Sequence, residues 1–157
     1  MTTKMNARLN PLAQVPYSIA KGVRRNTGVL SFNVTFNDHA SRHVEKYTFR
    51  RTVWLLDPEP VSEYVVASGQ YLAGDMKAYV PALSLEEALN TESDDDPACG
   101  DAMGLKDFRV LNPSNGGIDA AADTLEFGGI NYRILQVFPE NIWGNVPNQF
   151  KLVLRRV

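Results

Sequence analysis

With Cys99 as its single cysteine, the chain cannot form an intrachain disulfide, and a fold of this size without one suits a reducing assembly compartment. Only two histidines, His39 and His43, accompany it, too few to complete the four soft ligands of a structural zinc site. Their spacing would align both imidazoles on a helix, but Asn37, Asp38 and Ser41 around them mark a turn between two β runs. No apolar run approaches the roughly 20 residues needed to cross a bilayer. Met1 to Arg8 is polar and leads into no apolar core of signal-peptide type. Neither secretion nor a membrane partner is expected.

Catalytic signatures are missing as well. There is no Gly-x-Ser-x-Gly elbow, no Gly-Lys-Ser/Thr follows Gly100 and Gly104, and Cys99 lacks electropositive neighbours that would activate a thiol. Asp94-Asp95-Asp96-Pro97 has neither the alternating acids nor the mid-loop glycine of a calcium loop. The expectation is a protein that is not an enzyme, with no catalytic residue, no cofactor and no metal.

What is present is β-structural. At 157 residues, 44% of them hydrophobic and 22% charged, the chain reads as one soluble domain long enough to bury a core. Leu30, Phe32, Val34 and Phe36 alternate without fault, predicting a strand with one wet face. His43 to Leu56 returns as a second β run, stopped by Asp57-Pro58-Glu59-Pro60. Shorter strands are expected over Glu63–Ala67, Met76–Val80 and Phe108–Leu111. The ending is the clearest part: Leu125 and Phe127, a Gly128-Gly129 turn, Tyr132 and Ile134, a turn at Trp143-Gly144-Asn145, then Phe150, Leu152 and Leu154. About six to seven strands with frequent Gly and Pro punctuation predict an all-β fold, a small antiparallel barrel or sandwich.

Two segments stand apart from the 28–157 body. Residues 1–27 read as an N-terminal arm, in which Pro16 should break any helix from Leu9 to Ile19. Residues 84–105 read as an acidic insertion. It opens with one short helix, because Ser84 and Glu87 have capping-box spacing. It carries Glu86, Glu87, Glu92, Asp94, Asp95, Asp96 and Asp101 and no Lys or Arg between Ser84 and Asp101. Without those seven the chain has 16 basic against 11 (18 less 7) acidic residues, so a mildly basic body carries one acidic loop. Such a loop is a solvated surface, or one placed where an anionic polymer must pass without sticking.

The basic clusters Arg24-Arg25, Lys46, Arg50-Arg51 and Arg155-Arg156 are interleaved with Tyr47, Phe49 and Trp54. A barrel of OB type that binds nucleic acid uses such a mixture. The simpler account puts Tyr47 and Phe49 in the core and Lys46 and Arg50 on the wet face.

Gly69-Gln-Tyr-Leu-Ala-Gly-Asp-Met-Lys-Ala-Tyr-Val-Pro81, the hairpin from Asp123 to Val137 and the closing run Phe150 to Arg156 together resemble head–tail connector proteins of tailed bacteriophages, of the head-completion or stopper kind. The resemblance covers roughly 28–81 and 105–157; the arm and the acidic insertion depart from it. It implies a homo-oligomeric ring, expected to be a hexamer, in the virion neck and assembled in the host cytoplasm. Portal and adaptor proteins would sit above, tail-tube or tail-terminator proteins below, and double-stranded DNA would pass through without sequence-specific contact. The acidic segment is then the expected channel- or partner-facing loop, hinged at Gly100 and Gly104, and deleting 90–101 is expected to spare the fold. A tail terminator or other tail protein is the alternative within the same build.

Overall fold

Period-two alternation becomes a closed six-stranded barrel in the computed structural model, which describes residues 4–24, 26–38, 43–62, 68–98 and 103–157. The strands are β1 (Asn26–Asp38), β2 (His43–Pro60), β3 (Met76–Pro81), β4 (Thr124–Phe127), β5 (Ile130–Glu140) and β6 (Gln149–Arg156). Around the barrel they run β1-β2-β3-β6-β5-β4, every neighbour antiparallel. The protein is therefore all-β, as the sequence predicts, and the choice between barrel and sandwich falls to the barrel.

Register follows the apolar faces. Phe32 lies opposite Phe49, Leu30 opposite Leu125, and Val80 opposite Phe150, so facing strands bring large side chains to the same level. Phe32, Phe49 and Phe150 are fully buried, each contributing about 1.5–3 kcal/mol by burial. The β4–β5 turn is Gly128-Gly129, both at positive φ (60° and 77°), the backbone that a two-residue hairpin of this hand requires.

The barrel is not evenly closed. β4 covers β1 only at Val29–Ser31, and β3 meets β2 only from Leu56 onward, across a register shift before Glu59. The outer halves of β1 and β2 therefore continue together as a ribbon, with Phe36 edge-on to Phe108. Where β2 has no strand neighbour, helix α2 (Ala82–Asn90) stands in: Ser84 Oγ accepts from the Trp54 amide at 2.9 Å. This replaces the expected capping box. Pro81 occupies the N-cap position and the helix starts at Ala82, so Ser84 is already inside it and buried.

Two further expectations are corrected. Pro16 does not break the arm helix; it is the third residue of α1 (Gln14–Ser18), within the first turn, where amides have no intrahelical acceptor. A π turn at Ile19–Arg24 leads from it into β1. Phe108–Leu111 is not a strand, since its backbone bonds run to the 3-10 turn Leu105–Asp107 and to the arm rather than to a ladder. The strand expected at 63–67 lies outside the described residues, as do His39, Cys99, Gly100 and Asp101, and the His43 side chain. Among the described residues no helix is long and apolar enough to cross a membrane.

Candidate functional site: the acidic segment and the arm it holds

The acidic segment begins as a structural helix. Ala82, Ser84, Leu85, Ala88 and Leu89 are buried, which leaves Glu86 and Glu87 to the outer side. Both carboxylates hold the N-terminal arm. Glu86 Oε2 accepts from the Ala7 amide at 2.8 Å, with Arg8 Nε 3.9 Å from its other oxygen. Glu87 Oε2 accepts from the Tyr17 hydroxyl at 2.6 Å. That bond, helped by partial burial and by the glutamate's charge, pushes the Tyr17 pKa up to about 12.

Beyond Asn90 the chain turns back and is clasped. Asp96 takes both nitrogens of Arg51, at 2.6 and 2.7 Å, and the Ser93 amide at 3.2 Å. Arg51 also donates to the carbonyls of Ala88 and Thr91 at the C-terminal end of α2, the end where a cation is favoured. Its side chain is only 4% exposed. The Arg51 guanidinium holds the Asp96 carboxyl below its ordinary value of 3.8. The remaining acids lie outside this clasp. Glu92 reaches Lys106 at 3.5 Å on the surface, and Asp94 and Asp95 stand exposed in the turn.

Of the seven acids singled out in the sequence, two thus fasten the arm, one neutralises a buried arginine, three are exposed, and Asp101 lies outside the described residues. The alternation Phe49, Arg51, Val53, Leu55 already places Arg51 on the core side of β2; that signal separates it from Arg50, which is exposed and meets Glu126 at 3.3 Å. Phe49 is core, Tyr47 packs against it, and Lys46 is exposed. Arg155 is bound by Asp75 at 3.0 and 2.9 Å. Arg50-Arg51 and Arg155 are therefore split between structural work and solvent, while Arg25 and the Arg24 side chain lie outside the described residues.

A second clasp was not anticipated. Arg109 binds Asp123 at 2.5 and 2.9 Å and the carbonyls of Gly117 and Asn33. Asp123 also accepts from the Asn33 and Asp119 amides. It joins the 105–123 segment to β1, and no short motif spans the fourteen-position separation of its two ends. Among the described residues no group of three or more His, Cys, Asp or Glu is arranged to hold a metal ion.

No family model matches the chain, and no curated protein and no solved structure matches it.

Proposed function

We propose that this protein is a structural component of a tailed-phage neck, a stopper or head-completion protein whose copies form a ring that joins head to tail and helps retain packaged DNA. The supporting observation concerns the residues that carry the resemblance. In the 69–81 segment, Gly74 has φ +92 and sets Asp75, buried at 2% exposure, against Arg155 of the closing strand. The 123–137 segment is the β4–Gly-Gly–β5 hairpin that meets β1 on one side and β6 on the other. The motifs thus act on one barrel wall, giving each subunit a rigid body that carries the arm, the β1–β2 ribbon and the acidic turn on its surface. In this reading the exposed acids of the turn, Glu92, Asp94 and Asp95, face the channel or a partner, because like charge keeps DNA from adhering.

Native mass measurement of the purified protein, followed by negative-stain imaging, tests the reading. Annular particles that join portal-side or tail-side proteins support it, and a monomer with no affinity for either would remove it. Recovery with tail-tube proteins alone would favour the tail-terminator alternative. The Arg51–Asp96 clasp also changes the loop experiment. Deleting 90–101 strands a buried arginine, so Asp94→Asn with Asp95→Asn is the variant that alters charge and leaves the clasp in place.

A further inference from the structure

Asn115-Gly116 is the one Asn-Gly pair in the chain, and the fold has a use for both residues. Gly116 has φ +65, and an added Cβ would lie 2.7 Å from Leu85 Cδ1 and 3.1 Å from Phe150 Cε2. Only glycine fits there. Asn115 Oδ1 accepts from Asn112 Nδ2 at 2.6 Å and from the Gly117 amide at 3.0 Å, closing the turn. An asparagine followed by glycine is also the pair most prone to react with itself, because no Cβ on the second residue obstructs that residue's amide nitrogen. In the folded protein this nitrogen is engaged. Gly116 is buried and donates its N–H to Asn112 O at 3.0 Å. The Asn115 amide and carbonyl are held in turn by Asn112 Oδ1 and the Ile118 amide.

We propose that Asn115-Gly116 is a self-modification site, kept shut by the fold and exposed when the 105–123 segment leaves the barrel. In the opened chain the Gly116 amide gives its proton to hydroxide, and its nitrogen forms a bond to Asn115 Cγ. The Cγ–Nδ2 bond breaks, and Nδ2 departs as ammonia with a proton from water. Water then opens the five-membered imide. Cleavage on the Cγ side yields aspartate, cleavage on the backbone side yields isoaspartate, and neither needs an oxidant or reductant. The two products fare differently. The turn uses Asn115 as an acceptor through Oδ1, which aspartate retains. Isoaspartate adds a carbon to the main chain beside Gly116, where Leu85 and Phe150 leave no room. A segment so converted cannot close again, and the pair becomes a one-way record of opening. This chemistry is independent of the ring reading above.

The test holds the full chain in mildly alkaline buffer with and without denaturing urea, reading ammonia release and the product at position 115 by peptide mapping. In urea, wild type should convert to aspartate and isoaspartate. In native buffer the rate should be at least about tenfold lower, the factor that an opening free energy of about 1.4 kcal/mol provides. Asn112→Ala removes the side-chain bonds but keeps Asn112 O, and should raise the native rate several-fold while β5 and β6 amides keep wild-type exchange. Asn115→Asp should melt with wild type, and a lower melt would overturn the distinction between the two products. A native wild type that converts as fast as the urea sample overturns the proposal, as does a urea sample that stays asparagine. So does a folded Asn112→Ala with the wild-type rate. If Asn112→Ala does not fold, wild type in urea below its unfolding midpoint decides. Conversion that rises ahead of global unfolding supports local opening, and conversion that only follows global unfolding overturns it.

Discussion

The 105–123 segment and the N-terminal arm are both fastened to the barrel by carboxylates, yet they are held very differently. In the first, Asp123 has no exposed side-chain surface and Arg109 is 13% exposed; the pair is bidentate and further tied to backbone on β1. In the second, Arg8 is 81% exposed and sits 3.9 Å from Glu86, while the Tyr17–Glu87 bond is open to water. Breaking a buried pair leaves an uncompensated charge in low dielectric, whereas a solvated pair is replaced by water at little cost. The lesson is that the carboxylate clasp of the 105–123 segment is the costlier one to break, while the arm's carboxylate contacts are solvated and its hold on the barrel rests more on buried Ala7, Ala13 and Ala20.

Arg109→Ala should have the largest effect, about 3–5 kcal/mol in chemical denaturation, because Asp123 would remain buried without its cation. A loss below about 1 kcal/mol would erase the distinction between body and arm. Asp96→Ala comes next, at roughly 2–3 kcal/mol: Arg51 keeps the Ala88 and Thr91 carbonyls but loses its counter-charge. If Asp96→Ala left the denaturation midpoint unchanged, the acidic turn would belong with the arm after all. Gly117→Ala should cost about 1–3 kcal/mol, since Gly117 has φ +86 and an added Cβ would lie 2.9 Å from the Val110 carbonyl oxygen.

Acid should act on the body in a defined window. Arg155 holds Asp75 below its ordinary value of 3.8, through hydrogen bonds first and charge second, and Arg51 does the same for Asp96. A carboxyl whose pKa is depressed in the folded state supplies stability that is complete above its unfolded value and lost as pH falls through the folded one. Denaturation midpoints should therefore be insensitive to these two carboxyls above about pH 5 and fall below the ordinary carboxylate range. Asp96→Asn should flatten that fall, and an equally steep acid limb in Asp96→Asn would separate the clasp from acid stability.

The strands were readable because a half-buried strand writes its burial directly into alternate positions; Leu30 to Phe36 and Phe150 to Leu154 needed nothing else. Arg51 was readable by the same rule, since it shares parity with Phe49 and Val53, but residue type masked position. The Arg109–Asp123 clasp was hidden because its two ends are joined only by the fold. How the arm packs was not legible for a physical reason: period and apolarity do not say which side of a short helical segment faces the barrel. The buried side is taken by Ala7, Ala13 and Ala20, whose small size gives no apolar signal strong enough to mark a face. The acidic segment concealed its division of labour because charge alone does not distinguish Asp96, clasped to a buried arginine, from Asp94 two residues earlier.

The smallest effect should belong to Tyr17→Phe, which removes the bond to Glu87 and nothing else. Its global cost should be at most about 1 kcal/mol, because both partners are solvated once parted. Its local consequence should be plain: amides of 14–24 should exchange faster while those of β5 and β6 keep wild-type protection. In wild type the same fastening should fail with alkali. A tyrosine whose folded pKa is raised contributes stability that is whole below its ordinary value of 10 and lost as pH rises toward about 12. Exchange in the arm should therefore accelerate, beyond its intrinsic pH dependence, across that window in wild type and not in Tyr17→Phe. Equal acceleration in both would show that Glu86 and Asn10 hold the arm without help from Tyr17. Equal acceleration in the barrel strands would show that the arm is fixed as part of the body.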